Sequence, residues 1–226
     1  MSQSKAIYGI VGNPLAHSLS PLMHNVAFKA LGVAAEYKLY ALEENELDPF
    51  FEDLHGNDCP IFGLNVTVPY KEKAMDYLDN YSPLVEKIHA VNTIVITQQR
   101  KLIGYNTDAP GFLAHLKELK FNIKGKRVSI LGAGGSARGI ITALCLIPDH
   151  PESIKIYNRT RERARDLIAD LAERVDTSII ECVKSVDALD IELADLLINT
   201  TSIVFTQWTR WVRLCTVYPQ VNCMRC

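Results

Sequence analysis

Three things are missing from this sequence: an excess of positive charge, a regular cysteine spacing and a long apolar run. With 24 Lys and Arg against 26 Asp and Glu the net charge is -2, and no run of basic residues interleaved with aromatics occurs before the last segment. Such a chain has no electrostatic footprint for nucleic acid. The most apolar stretch, residues 140–147, is far too short to cross a bilayer, and MSQSKAIYGIVG has no basic region followed by a long apolar core. The expectation is a cytoplasmic protein, monomer or homodimer, with neither nucleic acid nor membrane as partner. The cysteines, at 59, 145, 182, 215, 223 and 226, are scattered and read as free thiols of a reducing compartment. Cys223 and Cys226 have C-x-x-C spacing, but the last histidine is His150, so no metal site is expected there.

What is present is a globular balance, 48% hydrophobic and 22% charged over 226 residues. Strand-like and helix-like stretches alternate: AIYGIVG, a helix over 21–31, EYKLYAL, the helix ELDPFFEDL and IFGLNVTV. Ser20 reads as N-cap of the first helix, Pro21 as its first residue and Gly32 as its stop. Helical stretches near 71–79 and 83–89 follow, then VNTIVIT and KLIGYN as a hairpin turning on a polar QQR, and the helix GFLAHLKEL. From residue 127 the rhythm restarts with RVSIL, GAGGSAR, GIITALCLI, SIKIYN, RERARDLIADLAERV, SIIEC and DLLINTT. This predicts an α/β protein of two domains, 1–108 and 109–226, with a parallel, Rossmann-like sheet in the second.

Two places carry chemistry. In LNVTVPYKEK the alternation of Leu64, Val66 and Val68 breaks at Pro69, which ends the strand and leaves Lys71 where open α/β sheets gather ligands. The same lysine also reads as the solvated start of a helix KEKAMDYL. Gly132-x-Gly134-x-x-Ala137 follows an apolar strand and opens a helix, the context in which such a turn accepts the pyrophosphate of a dinucleotide. The next strand ends Asn158-Arg159-Thr160 without the carboxylate that would hold an adenosine ribose. Arg159 and Arg163, four apart, are expected on one helix face as a clasp for a 2'-phosphate, which favours NADP over NAD. A merely charge-rich helix start capped by Thr160 is the other reading. Thr200, Thr201 and Ser202 end a strand near the glycine turn, where polar residues are often turn formers.

The blocks GNPLAHSLSPLMHN, NVTVPYKE, AVNT, YNTD, GAGGSARG and NRT, in this order, resemble the shikimate dehydrogenase family from about residue 6 to 202; quinate dehydrogenases share most of them. The resemblance implies NADPH-dependent, reversible reduction of 3-dehydroshikimate to shikimate, on the route to chorismate and the aromatic amino acids. It implies that Ser18 and Ser20 hold the substrate carboxylate, that Asn65, Thr67, Asn92 and Asp108 bond ring hydroxyls, and that Lys71 and Asp108 are the catalytic pair. Gly132, Ala133, Gly134, Gly135, Ser136, Asn158, Arg159, Thr160, Arg163 and Thr201 would line the cofactor. His17 and His24 flank the serine loop and are read as structural. His89 and Ala109 stand where glycine is common in the family. Residues 204–226 depart from the family pattern, with no acidic residue after Asp195. If that segment is a foreign tail, the cofactor sheet is left with an unpaired edge, and the alternative is an inactive NADP- or shikimate-binding remnant.

Overall fold

The computed structural model describes residues 5–201 and the backbone of Arg213–Thr216. The chain divides into two compact units, Met1–Thr107 and Asp108–Cys226. The first contains β1 (Ala6–Gly12), α1 (Ser20–Ala30), β2 (Ala35–Ala41), α2 (Leu47–Asp53), β3 (Ile61–Val66), β4 (Asn80–Tyr81), α3 (Pro83–Ile88), β5 (Thr93–Ile96) and β6 (Leu102–Tyr105). They form a six-stranded sheet in the order β2-β1-β3-β5-β6-β4. β1 runs parallel to β2 and β3, while β5 is antiparallel to β3 and β6. Val11, Leu47, Phe51, Leu64, Val66 and Ile94 are all buried in one core between sheet and helices. In β3 Ile61, Leu64 and Val66 are buried while Phe62 is exposed.

Local structure departs from expectation in three places in this unit. Ser20 is the first helical residue of α1, not its cap; the N-cap is Leu19, and the Ser18 hydroxyl accepts the Ser20 N–H at 3.4 Å. No side chain caps α1 in the usual way, and the contact from Ser18 is a local turn bond ahead of the helix. The helix expected from residue 71 is only a 3-10 segment, Lys73–Tyr77, because Tyr70 N–H closes a tight turn onto the Thr67 carbonyl. Arg100, in the hairpin turn read as polar, is buried, and its guanidinium donates to the carbonyls of Leu54 and Ile61. By contrast Ser82 and Pro83 start α3 as their types require, with Val85 N–H donating to the Ser82 hydroxyl at 3.4 Å. The helix stops at His89, whose φ of 58° is left-handed. That is the conformation glycine adopts without strain, which accounts for glycine being common there in the family it resembles.

The second unit contains α4 (Asp108–Glu118), β7 (Arg127–Leu131), α5 (Gly135–Leu146), β8 (Ser153–Tyr157), α6 (Arg161–Ala172), β9 (Ile180–Cys182), β10 (Leu196–Asn199) and β11 (Arg213–Thr216). The sheet order is β11-β10-β7-β8-β9, and every pairing is parallel. Ile130, Ile140, Leu144, Ile154, Ile156 and Ile198 are fully buried between sheet and helices. β10 is paired along its length with β11, which forms the outer strand of the sheet on that side. The remainder of the off-pattern segment lies outside the described residues, as does Ser202. No helix among the described residues is long and apolar enough to cross a membrane.

Candidate active site

Register gathers the polar residues of the first unit at one edge of its sheet. β1 and β3 are parallel and end together, with Val11 opposite Val66. β5 runs the other way, so its first residue, Thr93, lies opposite Asn65, and β6 returns to bring Tyr105 beside Thr93. The loops after β1, β3 and β6 and the loop before β5 therefore meet at that edge. Asn13 N–H donates to the Val68 carbonyl at 3.0 Å, Thr67 N–H to Val11 at 2.9 Å, and Val91 N–H to the Lys71 carbonyl at 2.8 Å. The turn after β3, whose Val68–Pro69 peptide bond is cis, is thus knitted to both neighbouring loops. It holds Lys71, which is only 6% exposed, and Thr67 and Asn92 on the bonded loops are buried as well. A buried lysine excludes the solvated reading of LNVTVPYKEK, because burying an ammonium is costly unless the site is built around it.

The amides are held by a continuous set of side-chain bonds. Tyr37 hydroxyl donates to Asn65 Oδ1 at 2.5 Å, and Asn65 Nδ2 donates to the Asn92 carbonyl at 3.3 Å and to Thr93 Oγ1 at 3.4 Å. Thr93 hydroxyl donates to Asn92 Oδ1 at 3.0 Å, Asn92 Nδ2 to Thr107 Oγ1 at 2.8 Å, and Thr107 N–H to Asn92 Oδ1 at 3.0 Å. Tyr37, Thr93 and Thr107 were not anticipated from the sequence. Tyr37 sits in a strand that reads as ordinary amphipathic sequence, and its only signal is that a buried tyrosine hydroxyl needs a partner. Ser18 and Ser20 lie at the N-terminus of α1, which Asn25 fastens to β2 by bonding Tyr37 N–H and carbonyl at 2.9 and 3.0 Å. His24 stacks on the Tyr37 ring at 4.3 Å, and burial lowers its pKa, so it is a neutral packing group. Asp108 follows Thr107 in the chain and is the first residue of α4.

In the second unit, the glycine turn sits at the carboxyl end of β7. Gly132 has φ +105°, and a Cβ there would lie 2.3 Å from Thr200 Oγ1 and 3.1 Å from Thr201 Cγ2, so the turn requires glycine. Gly134, the N-cap of α5, is different: a Cβ there would meet nothing within 4 Å. No side chain caps α5, and its first turn carries no acid. The helix start therefore leaves an open position at Gly134 with the positive end of the dipole behind it, which fits an anionic pyrophosphate, while Ser136 is buried in the first turn. Ala137 is fully buried where helix and strand pack. Thr200 and Thr201 hydroxyls donate to the Leu131 carbonyl at 2.7 Å and to Asn199 Oδ1 at 2.7 Å, a turn-forming role.

At the end of β8, Asn158 Nδ2 donates to the Thr160 carbonyl at 2.8 Å, which shapes the entry to α6. Thr160 is the N-cap by position, yet its side chain makes no cap bond. Arg159 precedes the helix and Arg163 is inside it, so the same-face argument from four-residue spacing does not apply. Both are exposed at the mouth of the strand end, and no carboxylate ends β8. Among the described residues no cluster of His, Cys, Asp or Glu could hold a metal ion.

A mixed sheet with a buried lysine at its polar edge, followed by a parallel sheet whose glycine turn feeds an uncapped helix, defines the class of two-domain α/β dehydrogenases. Comparison narrows the class. Residues 10–94 match the family model for the shikimate dehydrogenase substrate binding domain, and 114–206 match that for shikimate / quinate 5-dehydrogenase. A shikimate dehydrogenase (NADP(+)) of Bacillus cytotoxicus is 42% identical over 200 residues, covering 88% of this chain and 70% of its own. The crystal structure of shikimate dehydrogenase from Aquifex aeolicus superposes with a TM-score of 0.75 at 34% identity, covering 89% of this chain and 71% of its own. That of shikimate 5-dehydrogenase from Thermus thermophilus, in complex with NADP(H) and shikimate, gives 0.69 at 34% identity, covering 86% and 68%. The chain belongs to the shikimate/quinate dehydrogenase family.

Proposed function

We propose that this protein is an NADP-dependent shikimate dehydrogenase that reduces 3-dehydroshikimate to shikimate, reversibly, on the way to chorismate and the aromatic amino acids. The observation that carries the reading is the burial of Lys71 in the turn after β3, whose backbone is bonded to the loop after β1 and to the loop before β5. When bound, the dihydronicotinamide supplies the hydride. Lys71 stabilises the negative charge that grows on the carbonyl oxygen and gives it a proton; in the reverse direction the neutral amine takes the hydroxyl proton. Asp108 orients Lys71 and bonds a ring hydroxyl. Ser18 and Ser20, at the positive end of α1, receive the substrate carboxylate. Asn65, Thr67 and Asn92 bond the ring hydroxyls, an arrangement that rejects analogues lacking them because buried polar groups would be left unpaired.

The cofactor would lie on Gly132, Ala133, Gly134, Gly135 and Ser136, with Asn158, Arg159, Thr160 and Arg163 toward the adenosine phosphate and Thr201 alongside. The exposed arginines and the missing strand-end carboxylate support NADP over NAD. Residues 1–108 act as the substrate domain and 109–226 as the cofactor domain. The described cysteines, 59, 145 and 182, are unpaired, and burial pushes the Cys145 thiol up to about 11. Unpaired cysteines and a net charge of -2 support a cytoplasmic monomer or homodimer acting on a small molecule, without nucleic acid or membrane. The test follows NADPH absorbance with 3-dehydroshikimate, and NADP reduction with shikimate or quinate. Substrate-dependent turnover with shikimate preferred supports the proposal; no turnover with either acid refutes it.

A further inference from the structure

We infer that Tyr37 is a positioning residue for substrate recognition, acting through Asn65 to fix which end of that amide faces a ring hydroxyl. The inference deepens the proposed function and rests on its assignment of Asn65. An asparagine amide offers an acceptor at one end and donors at the other, and its environment decides which end points where. Here two neighbours agree. Tyr37 hydroxyl donates to Oδ1 at 2.5 Å, while the Asn92 carbonyl, 3.3 Å from Nδ2, repels an oxygen and requires the NH2 group. With the amide so held, the second lone pair of Oδ1 is the natural acceptor for a substrate hydroxyl.

Tyr37 is built to hold that geometry. It is 5% exposed, its N–H and carbonyl are both bonded by Asn25, and its ring is covered by His24 at 4.3 Å and 15°. Burial raises the phenol pKa far above any assay pH, so the hydroxyl remains a donor. From Asn65 the bonding continues through Thr93 to Asn92 and Thr107, the residue that precedes Asp108. Releasing Tyr37 leaves Asn65 held only on its NH2 side, by two long bonds of 3.3 and 3.4 Å, and leaves the second amide and Thr107 bonded to each other.

The test is Tyr37→Phe, which keeps the ring and its packing, assayed by NADPH consumption with 3-dehydroshikimate and by calorimetric titration with shikimate. The expected result is a rise of about fivefold to thirtyfold in the KM and Kd for the cyclic acid, the factor that one lost hydrogen bond commands, with kcat within about twofold. KM for NADPH stays at the parent value. In an Asn65→Ala background the same substitution adds nothing, because the group it positions is gone. Parent affinity in Tyr37→Phe, or an equal further loss in the Asn65→Ala background, overturns the inference. So does a loss that falls equally on NADPH, which would mark general damage to the fold. A parent chain that binds shikimate without turning it over counts against the proposed function and leaves the titration to decide the role of Tyr37.

Discussion

Alanine at Gly132 and alanine at Gly134 are expected to fail for opposite reasons, although the two lie in one turn. At Gly132 the φ of +105° is a region that L residues rarely adopt, and the added methyl would sit 2.3 Å from Thr200 Oγ1. Backbone strain of about 1–2 kcal/mol and overpacking of about 1–3 kcal/mol together give a destabilisation of about 2–5 kcal/mol. For a chain of this size that lowers the unfolding midpoint by roughly 5–20 °C. Gly134→Ala meets nothing within 4 Å, and its backbone is extended at φ -101°. Its cost is the poorer N-cap, about 0.5–1 kcal/mol. The methyl would instead stand where a pyrophosphate must approach the backbone, so KM for NADPH rises by roughly tenfold to a hundredfold. Thermal unfolding of both variants without cofactor, followed by NADPH titration, separates the two effects. A Gly134→Ala protein that binds NADPH as tightly as the parent, or a Gly132→Ala protein that unfolds at the parent temperature, refutes the reasoning.

Three further outcomes are expected. Arg100→Met strands the carbonyls of Leu54 and Ile61 in the interior and costs about 2–5 kcal/mol, read as a shift in the urea midpoint, with the second unit's unfolding unaffected. His89→Gly relieves a left-handed residue at the end of α3 and raises stability by about 0.5–1 kcal/mol, since the strain removed exceeds the entropy added to the unfolded chain. Asp195 accepts the backbone N–H of Arg127 at 2.9 Å and a bond from Lys126 at 3.2 Å, which hold its carboxyl below the usual range. A carboxylate depressed in the folded state contributes stability in full above its unfolded pKa, near 3.9, and loses it as pH falls through the lower folded value. Asp195→Asn therefore flattens the acid side of the curve of midpoint against pH and leaves it unchanged in shape near neutrality.

The glycine turn was legible because its residues are dictated by backbone geometry, which a sequence records directly. Gly132 at positive φ, Ala137 in the packed crossing and Gly32 at φ +65° just past α1 are positions that few residue types satisfy. The serine at the start of α1 was harder. Ser18 and Ser20 satisfy the same preference, yet neither caps the helix, since Ser18 N–H turns onto the Leu15 carbonyl and Ser20 is already the first helical residue. Lys71 looked like the start of a helix because KEKAMDYL has helical composition, yet the pairing of Val91 with the Lys71 carbonyl holds that backbone in a turn. Arg100 and Tyr37 were invisible for a common reason. Their partners lie tens of positions away, and polar or amphipathic residues at exposed-looking places give no periodic signal of burial.

The account stands on Lys71 as the group that meets the reacting carbonyl. The most direct measurement is the kcat of Lys71→Ala for NADPH oxidation by 3-dehydroshikimate, with shikimate affinity measured on the same protein by titration. The account predicts a fall in kcat of roughly a hundredfold to ten-thousandfold with affinity changed only a few fold. Turnover close to the parent's would contradict it.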